Sequence, residues 1–219
     1  IAQAVGPDGL VVGLDISSEL AASATRRAAD AGIANVRFEA GDAATAIPQE
    51  APFDRLFSRF GCMFFERPYD AYANLHGMIR AGGRIDLGVW APAKENGWMM
   101  DIHGVISRHV ELPPPVPRAP GPCALDDPDY VRDLLGKAGF TKIEIKPWAG
   151  EIAVAGPGAS PEEALRFALD GFSVCEPLAH CDEATREAAA RDLLALFTAR
   201  HDQRGVIMPA KIWIVTATA

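Results

Sequence analysis

Two acidic residues directly follow short apolar segments, in positions where they could bind the sugar and the base of a nucleoside. Asp15 lies in the segment VVGLDIS and Asp42 in the segment FEAGDAA. In an open parallel sheet, ligands bind in the crevice outside the carboxyl ends of the strands. Acids at the ends of two successive strands are therefore expected where a protein recognises a nucleoside.

The chemistry of each acid leaves more than one interpretation open. A carboxylate at Asp15 can accept hydrogen bonds from both ribose hydroxyls, in NAD and S-adenosylmethionine enzymes alike. Asp42 can accept from the exocyclic amine of adenine while the N–H of Ala43 meets a ring nitrogen. Both residues could instead only cap the turn or helix that follows, because aspartate is common at such positions. The two residues alone do not decide between these roles.

Strand and helix patterns alternate through the first half of the chain, which argues for βαβ units and a parallel sheet. Ser17 is a candidate cap for the helix after Asp15, and Pro68 suits the first turn of a helix that runs toward Arg80. Four segments have the apolar pattern of strands: Leu10–Asp15, Val36–Glu39, Phe53–Ser58 and Arg84–Trp90.

The second half begins with an irregular excursion. The segment LPPPVPRAPGP must run as extended chain, because proline fixes φ and removes a hydrogen-bond donor. A short helix is possible at Trp98–Val110. Beyond the excursion, capping and periodicity predict further elements: a helix after Asp127, a strand at Thr141–Lys146, helices at Pro161–Phe172 and Glu183–Arg200, and a final strand at Lys211–Thr218.

Bulk composition limits the partners. The chain has 219 residues, 49% of them hydrophobic, which suits one domain with a sizeable core. A net charge of -8 without clusters of lysine and arginine argues against nucleic acid or an anionic membrane as partner. We therefore expect a small organic molecule as partner. Composition leaves open whether the chain forms a homodimer.

The four cysteines are expected to be reduced thiols of a cytoplasmic protein. Cys62, Cys123, Cys175 and Cys181 show no C-x-x-C spacing, and the sequence has no signal peptide and no apolar span long enough for a bilayer. A metal site at Cys175, His180 and Cys181 would need a second closely spaced pair, and none follows. We expect no metal.

Taken together, these segments resemble a known family. In order and spacing the chain is similar over nearly its whole length to bacterial class I S-adenosylmethionine-dependent methyltransferases. The motifs that carry the resemblance are VVGLDIS, GDAA, FDRLFSRFGCMFF, MIRAGGRIDLGVW, the insert ending APGP, DPDYVRDLLGKAGF and KIWIVTATA. The resemblance implies an α/β fold with three layers, a Rossmann-like seven-stranded sheet whose last strand is antiparallel, and helical cap insertions.

The resemblance also implies roles for residues at matching positions, with S-adenosylmethionine as cofactor and S-adenosylhomocysteine as product. Asp15 would hold the ribose hydroxyls, and Ile16 would pack on one face of the adenine. Asp42 and Ala43 would bind the adenine edge. The segment after the third strand would border the methionine part and the methyl group: Ser58, Arg59 and Phe60.

Two insertions are expected to form a cap over the acceptor, at residues 91–127 and 148–208. His103 and His109 lie in the first insertion and are weak candidates for a general base, since a surface or cap position is the ordinary explanation for each. An apolar acceptor pocket could be lined by aromatic and methionine side chains, although packing inside the protein is their ordinary role: Phe64, Trp90, Trp98, Met99 and Met100.

The glycine-rich loop of the family and the strand before it have no counterpart in the sequence. We expect the natural protein to have further sequence before Ile1. An NAD(P)-dependent oxidoreductase is the alternative enzyme, although no tyrosine among Tyr69, Tyr72 and Tyr130 is followed four residues later by lysine. A methyltransferase-like binding subunit without catalysis is the third interpretation.

Overall fold

A computed structural model describes residues 1–219. The first half contains three helices and four strands, which alternate except that β3 follows β2 with no helix between them. Their bounds are α1 Ala2–Val5, β1 Val11–Asp15, α2 Ser18–Asp30, β2 Val36–Ala40, β3 Phe53–Arg59, α3 Pro68–Gly77 and β4 Ile79–Trp90.

The second half is mainly helical until its closing strands. Short 3₁₀ segments occupy Ala93–Glu95 and Ser173–His180. The remaining elements are α4 Gly97–Ile106, α5 Pro128–Lys137, β5 Thr141–Val154, α6 Pro161–Gly171, α7 Glu183–Ala199, β6 His201–Asp202 and β7 Gly205–Thr218.

Several predicted helix starts are confirmed by their caps. The Ser17 side chain accepts from the N–H of Leu20, and Asp127 caps α5 directly before its first proline. Ser160 and Glu163 form the reciprocal capping box at the start of α6. Local polar groups thus satisfy backbone donors that the first helical turn leaves unpaired.

The sheet is divided. Strands β1 and β2 pair in parallel as one sheet, and the other sheet has the order β3-β4-β7-β5, with the two-residue β6 at the edge of β7. Strand β7 is antiparallel to both β4 and β5, as expected for a last strand. The expectation of one seven-stranded sheet is wrong for these residues, because no strand pairing joins β1 to β3.

The closing hairpin is longer than the sequence indicates. Strands β5 and β7 stay paired from Thr141 and Thr218 to Val154 and Val206. The expected insertion at residues 148–208 therefore includes paired strand at both ends, and the segment between β5 and β7 is residues 155–204. Because Trp90 ends β4 opposite Ile212 of β7, the hairpin continues beyond the carboxyl end of β4.

Strand β4 also begins earlier than predicted. Ile79 pairs with Phe53, and the register then shifts before Arg55 pairs with Arg84. Consequently α3 ends at Gly77, short of Arg80. Gly82, within this irregularity, has a φ of 76°, and a residue with a Cβ would be strained there.

The helices of the two insertions pack against each other. Helix α4 contacts α7, and α6 contacts α7 and the 3₁₀ segment Ser173–His180. Leu193 and Phe197 of α7 are fully buried in a hydrophobic core of 34 residues. Because one insertion follows β4 and the other joins β5 to β7, both rise from the carboxyl side of β4.

The N-terminal unit of residues 1–47 has little core of its own. Ala2 and Ala21 are its only buried residues. Its link to α3 runs through Asn74, whose side-chain amide donates to the carbonyls of Ala43 and Ala46, each over 3.0 Å. This amide therefore attaches the loop after β2 to the main body of the protein.

Candidate functional site

The two predicted acids lie side by side at the carboxyl edge of the β1–β2 sheet. The last paired residues of the ladder are Asp15 and Ala40. Beyond them, the N–H of Gly41 donates to the carbonyl oxygen of Asp15 over 2.8 Å. The backbone thus places Asp15 and Asp42 at the ends of adjacent parallel strands, as the sequence predicted.

Each acid uses one carboxylate oxygen to close the turn that follows it. Oδ1 of Asp15 accepts from the N–H of Ser17 over 2.8 Å, and Oδ1 of Asp42 accepts from the N–H of Ala44 over 2.8 Å. Both side chains are exposed, and neither forms a salt bridge. The capping role is therefore present, and it leaves the second oxygen of each carboxylate free for a ligand.

The residues beside the two acids are suited to the flat ring of a base. The side chain of Ile16 is 77% exposed, which leaves an apolar surface at the strand end. The N–H of Ala43 makes no hydrogen bond within the protein, although its carbonyl oxygen accepts from Asn74. The free N–H of Ala43 and the free carboxylate oxygen of Asp42 thus belong to adjacent residues.

The segment after β3 turns sharply. Phe60 has a φ of 65°, which is uncommon for a residue with a side chain. Its N–H donates to the carbonyl of Gly88 over 2.9 Å. Ser58 Oγ accepts from the N–H of Cys62 over 3.2 Å, and Arg59 is exposed without a salt-bridge partner. Backbone strain of this kind is often found at functional sites.

An aromatic row extends from this turn to the cap, and we define it as Phe60, Trp90, Trp98, Phe172 and Phe167. The rings of Phe60 and Trp90 stack at 4.1 Å with an interplanar angle of 3°. Successive ring centroids then lie 5.0, 5.1 and 5.4 Å apart. The row connects the end of β3 to both insertions.

One polar atom in the aromatic row has no partner. The side chain of Trp98 is only 7% exposed, and its Nε1 is buried without a hydrogen-bond acceptor. A buried donor left unpaired costs about 1–3 kcal/mol. The sequence predicts that Trp98 could line an apolar pocket. It does not indicate the unpaired N–H, because the pairing of this group depends on what packs around the ring.

Asn96 joins β4 to β7 just before α4. It is fully buried, its side-chain amide donates to the carbonyl of Ala91 over 2.9 Å, and its Oδ1 accepts from the N–H of Lys211 over 2.8 Å. Because the side chain is engaged in this way, it does not cap the first turn of α4. Nothing in the sequence pattern signalled this role.

The two candidate histidines are in different environments. His103 is exposed on α4. His109 is half-buried, and its Nε2 lies 3.0 Å from Oδ2 of Asp192 on α7. His109, which follows α4, therefore links the first insertion to the second, and the structure does not bring either histidine together with the two acids.

The cysteines are separate thiols. Burial raises the pKa of Cys62 to about 11, with a hydrogen bond to Ser58 opposing the shift, and burial raises the pKa of Cys175 to about 11. Cys181 contacts the carbonyl of Pro177. No cluster of three or more potential metal ligands is present. None of the helices is both long and apolar enough to span a membrane.

Two open clefts lie away from the acids. One is at the amino ends of β1 and β2, beside Pro7, Gly9 and Asn35. The other lies between α6 and α7, beside Leu178 and Arg186. Neither cleft is lined by any residue proposed from the sequence to bind the cofactor.

Comparison with known proteins agrees with the geometry of the strand ends. Residues 1–83 match the family model described as "Methyltransferase domain". The chain has the fold of the class I methyltransferases. The match covers both acids and the turn at Phe60, so the resemblance inferred from the sequence is confirmed over residues 1–83. No curated protein matches the chain.

Solved structures share the methyltransferase fold at low sequence identity. The YcgJ protein of Bacillus subtilis is 17% identical, with a TM-score of 0.56 over 94% of this chain and 81% of that one. A methyltransferase-like protein of Bacillus halodurans is 15% identical, with a TM-score of 0.54 over the same shares. Phosphoethanolamine N-methyltransferase 2 of Haemonchus contortus, solved with S-adenosylhomocysteine, is 15% identical, with a TM-score of 0.51 over 96% and 44%.

Proposed function

We propose that this protein is an S-adenosylmethionine-dependent methyltransferase that acts on a small organic molecule. The observation that carries the proposal is the pair Asp15 and Asp42 at adjacent strand ends, each with one oxygen held by the backbone and one oxygen free. The methyltransferase family match over residues 1–83 supports the same assignment.

The residues at these strand ends fit the adenosine half of the cofactor. The free oxygen of Asp15 would accept from the ribose hydroxyls, and Ile16 would cover one face of the adenine. Asp42 would accept from the exocyclic amine while the unpaired N–H of Ala43 donates to a ring nitrogen. The Haemonchus contortus methyltransferase of the same fold, which was solved with S-adenosylhomocysteine, supports this choice of cofactor.

The bound sulfonium would supply an activated methyl group, so the protein has to position the acceptor and exclude water. Ser58 and Arg59 end β3, Phe60 follows them, and these three residues would border the methionine part. The insertions would cover the acceptor, since both rise from the carboxyl side of β4. His109 is held by Asp192, and the proposed chemistry does not depend on His103 or His109.

The nature of the acceptor and the compartment are further parts of the proposal. The net charge of -8 supports a small organic acceptor rather than a nucleic acid. The cytoplasm is proposed because the four cysteines are free thiols, which is usual in reducing compartments.

Calorimetry with S-adenosylhomocysteine and with NADH tests the proposal directly. We expect S-adenosylhomocysteine to bind and NADH not to bind. Asp15→Ala and Asp42→Ala should each weaken binding about tenfold or more, because each removes acceptors of hydrogen bonds from the ligand. Asp30→Asn is the matched control, since Asp30 is an exposed acid at the end of α2.

The outcomes separate the three interpretations. Binding of NADH alone would replace the proposal with an oxidoreductase. Binding of neither compound would favour a methyltransferase-like binding subunit. Binding of S-adenosylhomocysteine that both alanine variants leave unchanged would show that the cofactor lies elsewhere.

A further inference from the structure

We propose that the indole N–H of Trp98 donates a hydrogen bond to the substrate that accepts the methyl group, and that this substrate is a flat apolar ring compound carrying a hydrogen-bond acceptor. The inference rests on the proposed function, because it names the substrate class of the same site. The observation that carries it is the unpaired donor inside the aromatic row.

The indole N–H of Trp98 has no hydrogen-bond partner, whereas that of Trp213 has one. Trp213 donates from its Nε1 to the carbonyl of Asp126 over 2.8 Å. Trp98 is more than nine-tenths buried and has no such acceptor. Buried N–H groups nearly always have a partner in native proteins. An acceptor atom on a bound ligand would give the Trp98 N–H its missing partner.

The surroundings of this N–H suit a planar ligand. Trp98 lies between Trp90 and Phe172, at centroid distances of 5.0 and 5.1 Å. Phe60 is already stacked parallel on Trp90, which shows that the row accommodates face-to-face rings. Phe60 and Phe172 are half-buried, so both retain ring surface that a ligand could cover. Offset stacking on such rings adds to the binding of flat molecules.

The position of Trp98 also favours a ligand that accepts hydrogen bonds. Trp98 is in the first turn of α4, and the Asn96 side chain before it is used to join β4 to β7. The first turn of a helix presents backbone donors and the positive end of the helix dipole. With the side-chain cap absent, the dipole and the indole both favour an acceptor atom at this place.

The aromatic row lies where an acceptor site is expected relative to the proposed cofactor residues. The aromatic row begins at Phe60, in the turn proposed to border the methyl group, and ends in the two insertions. A flat compound beside Trp98 would therefore lie between the proposed methyl donor and the cap. No other described part of the protein combines an unpaired donor with stacked rings.

Quinoline and naphthalene form a matched pair of probes for this site. They have the same shape, and only quinoline carries a ring nitrogen that accepts a hydrogen bond. NMR of ¹⁵N-labelled tryptophan follows each indole N–H separately, with Trp98→Phe used to assign the signal. We expect quinoline to shift the Trp98 signal downfield and to bind about tenfold more tightly than naphthalene.

Variants isolate the role of the N–H. Trp98→Phe keeps an aromatic ring and should bind the two probes equally, whereas Trp148→Phe should keep the preference for quinoline. Trp148 is a suitable control because its side chain is 40% exposed on β5. A preference that persists in Trp98→Phe would overturn the inference, as would a silent Trp98 signal in the unmodified protein. The second result is read from the unmodified protein, and Trp98→Phe is needed there only to assign the signal.

Calorimetry with S-adenosylhomocysteine on the same sample keeps the two proposals apart. Binding of S-adenosylhomocysteine with no response at Trp98 would refute the substrate class and leave the cofactor proposal standing. A response at Trp98 without binding of S-adenosylhomocysteine would confirm a ring-binding site and refute the methyltransferase proposal.

Discussion

The N–H of Gly41 lies 2.8 Å from the carbonyl oxygen of Asp15, and this hydrogen bond extends the β1–β2 ladder past its last paired residues. The bond joins the two strand ends that carry Asp15 and Asp42. The spacing between the two acids is therefore set by backbone pairing, and a change at one side chain should leave the position of the other intact.

Asparagine and alanine at position 15 should separate the structural role of Asp15 from its proposed binding role. Asp15→Asn retains an oxygen that can accept from the N–H of Ser17, so we expect little loss of stability. Asp15→Ala loses that bond and should lower the free energy of unfolding by about 1 kcal/mol. Both should weaken binding of S-adenosylhomocysteine, because both remove the charged carboxylate.

Urea denaturation and calorimetry measure the two effects on the same preparations. Asp30→Asn should change neither quantity. If Asp15→Asn bound the cofactor as tightly as the unmodified protein, Asp15 would be a turn cap and nothing more.

Asn74→Ala should weaken cofactor binding from a distance. The amide of Asn74 holds the carbonyls of Ala43 and Ala46, which belong to the loop beside Asp42. Without it we expect S-adenosylhomocysteine affinity to fall roughly threefold to tenfold, because the loop must be ordered on binding. Hydrogen exchange of the amides in residues 36–46 should accelerate.

Tyr69→Phe is the control for Asn74→Ala. Tyr69 lies on the same helix and donates from its hydroxyl to Asp133, away from the loop. Equal affinity losses in both variants would mean that α3 as a whole matters, and that the amide has no special role.

The buried thiol of Cys62 should make stability fall at alkaline pH. Its pKa is raised to about 11 in the folded protein from 9.0. The unfolded thiol therefore loses its proton first, and folding stability decreases as the pH rises above 9. Between pH 8 and pH 10 we expect this group to contribute a loss of about 1 kcal/mol.

Urea denaturation at both pH values, on the unmodified protein and on Cys62→Ala, measures this contribution. The variant should lose less stability over the same interval. An identical loss in the two proteins would place the pH dependence on other groups.

Two tryptophan substitutions should differ in their effect on stability. Trp213→Phe breaks the hydrogen bond to the carbonyl of Asp126, and we expect a loss of about 1–2 kcal/mol. Trp98→Phe breaks no hydrogen bond and removes an unpaired buried donor, so its cost should be smaller. Thermal unfolding monitored by circular dichroism compares them. A larger loss for Trp98→Phe would contradict this expectation and show that the packing of the buried indole outweighs its unpaired N–H.

Local signals in the sequence were sufficient for most elements. Ser17, Asp127 and Ser160 begin helices as predicted, because a cap acts within one turn of its own residue. The carboxyl-end placement of Asp15 and Asp42 was also predictable, since parallel strands end at a common edge. The antiparallel orientation of the last strand followed from the family resemblance.

Features that depend on pairing between distant segments could not be predicted. The hairpin of β5 and β7 extends to Val154 and Val206, and nothing in the local pattern after Lys146 indicates that pairing continues. The roles of Asn74 and Asn96 depend on which carbonyls the fold brings near them. The division between β1 and β3 likewise depends on partners in space.

Under the proposed function, the divided sheet would make a bound cofactor part of the architecture. A ligand held by Asp15 and Asp42 on one side and by the turn at Phe60 on the other would bridge β1 and β3, which no strand pairing joins. Occupancy of this site by the ligand would then be thermodynamically linked to the free energy of separating residues 1–47 from the rest of the protein. A ligand at a free concentration of one hundred times its Kd would stabilise the joined state by about 2.7 kcal/mol. The small molecule would then hold together two sheets that have no strand pairing between them.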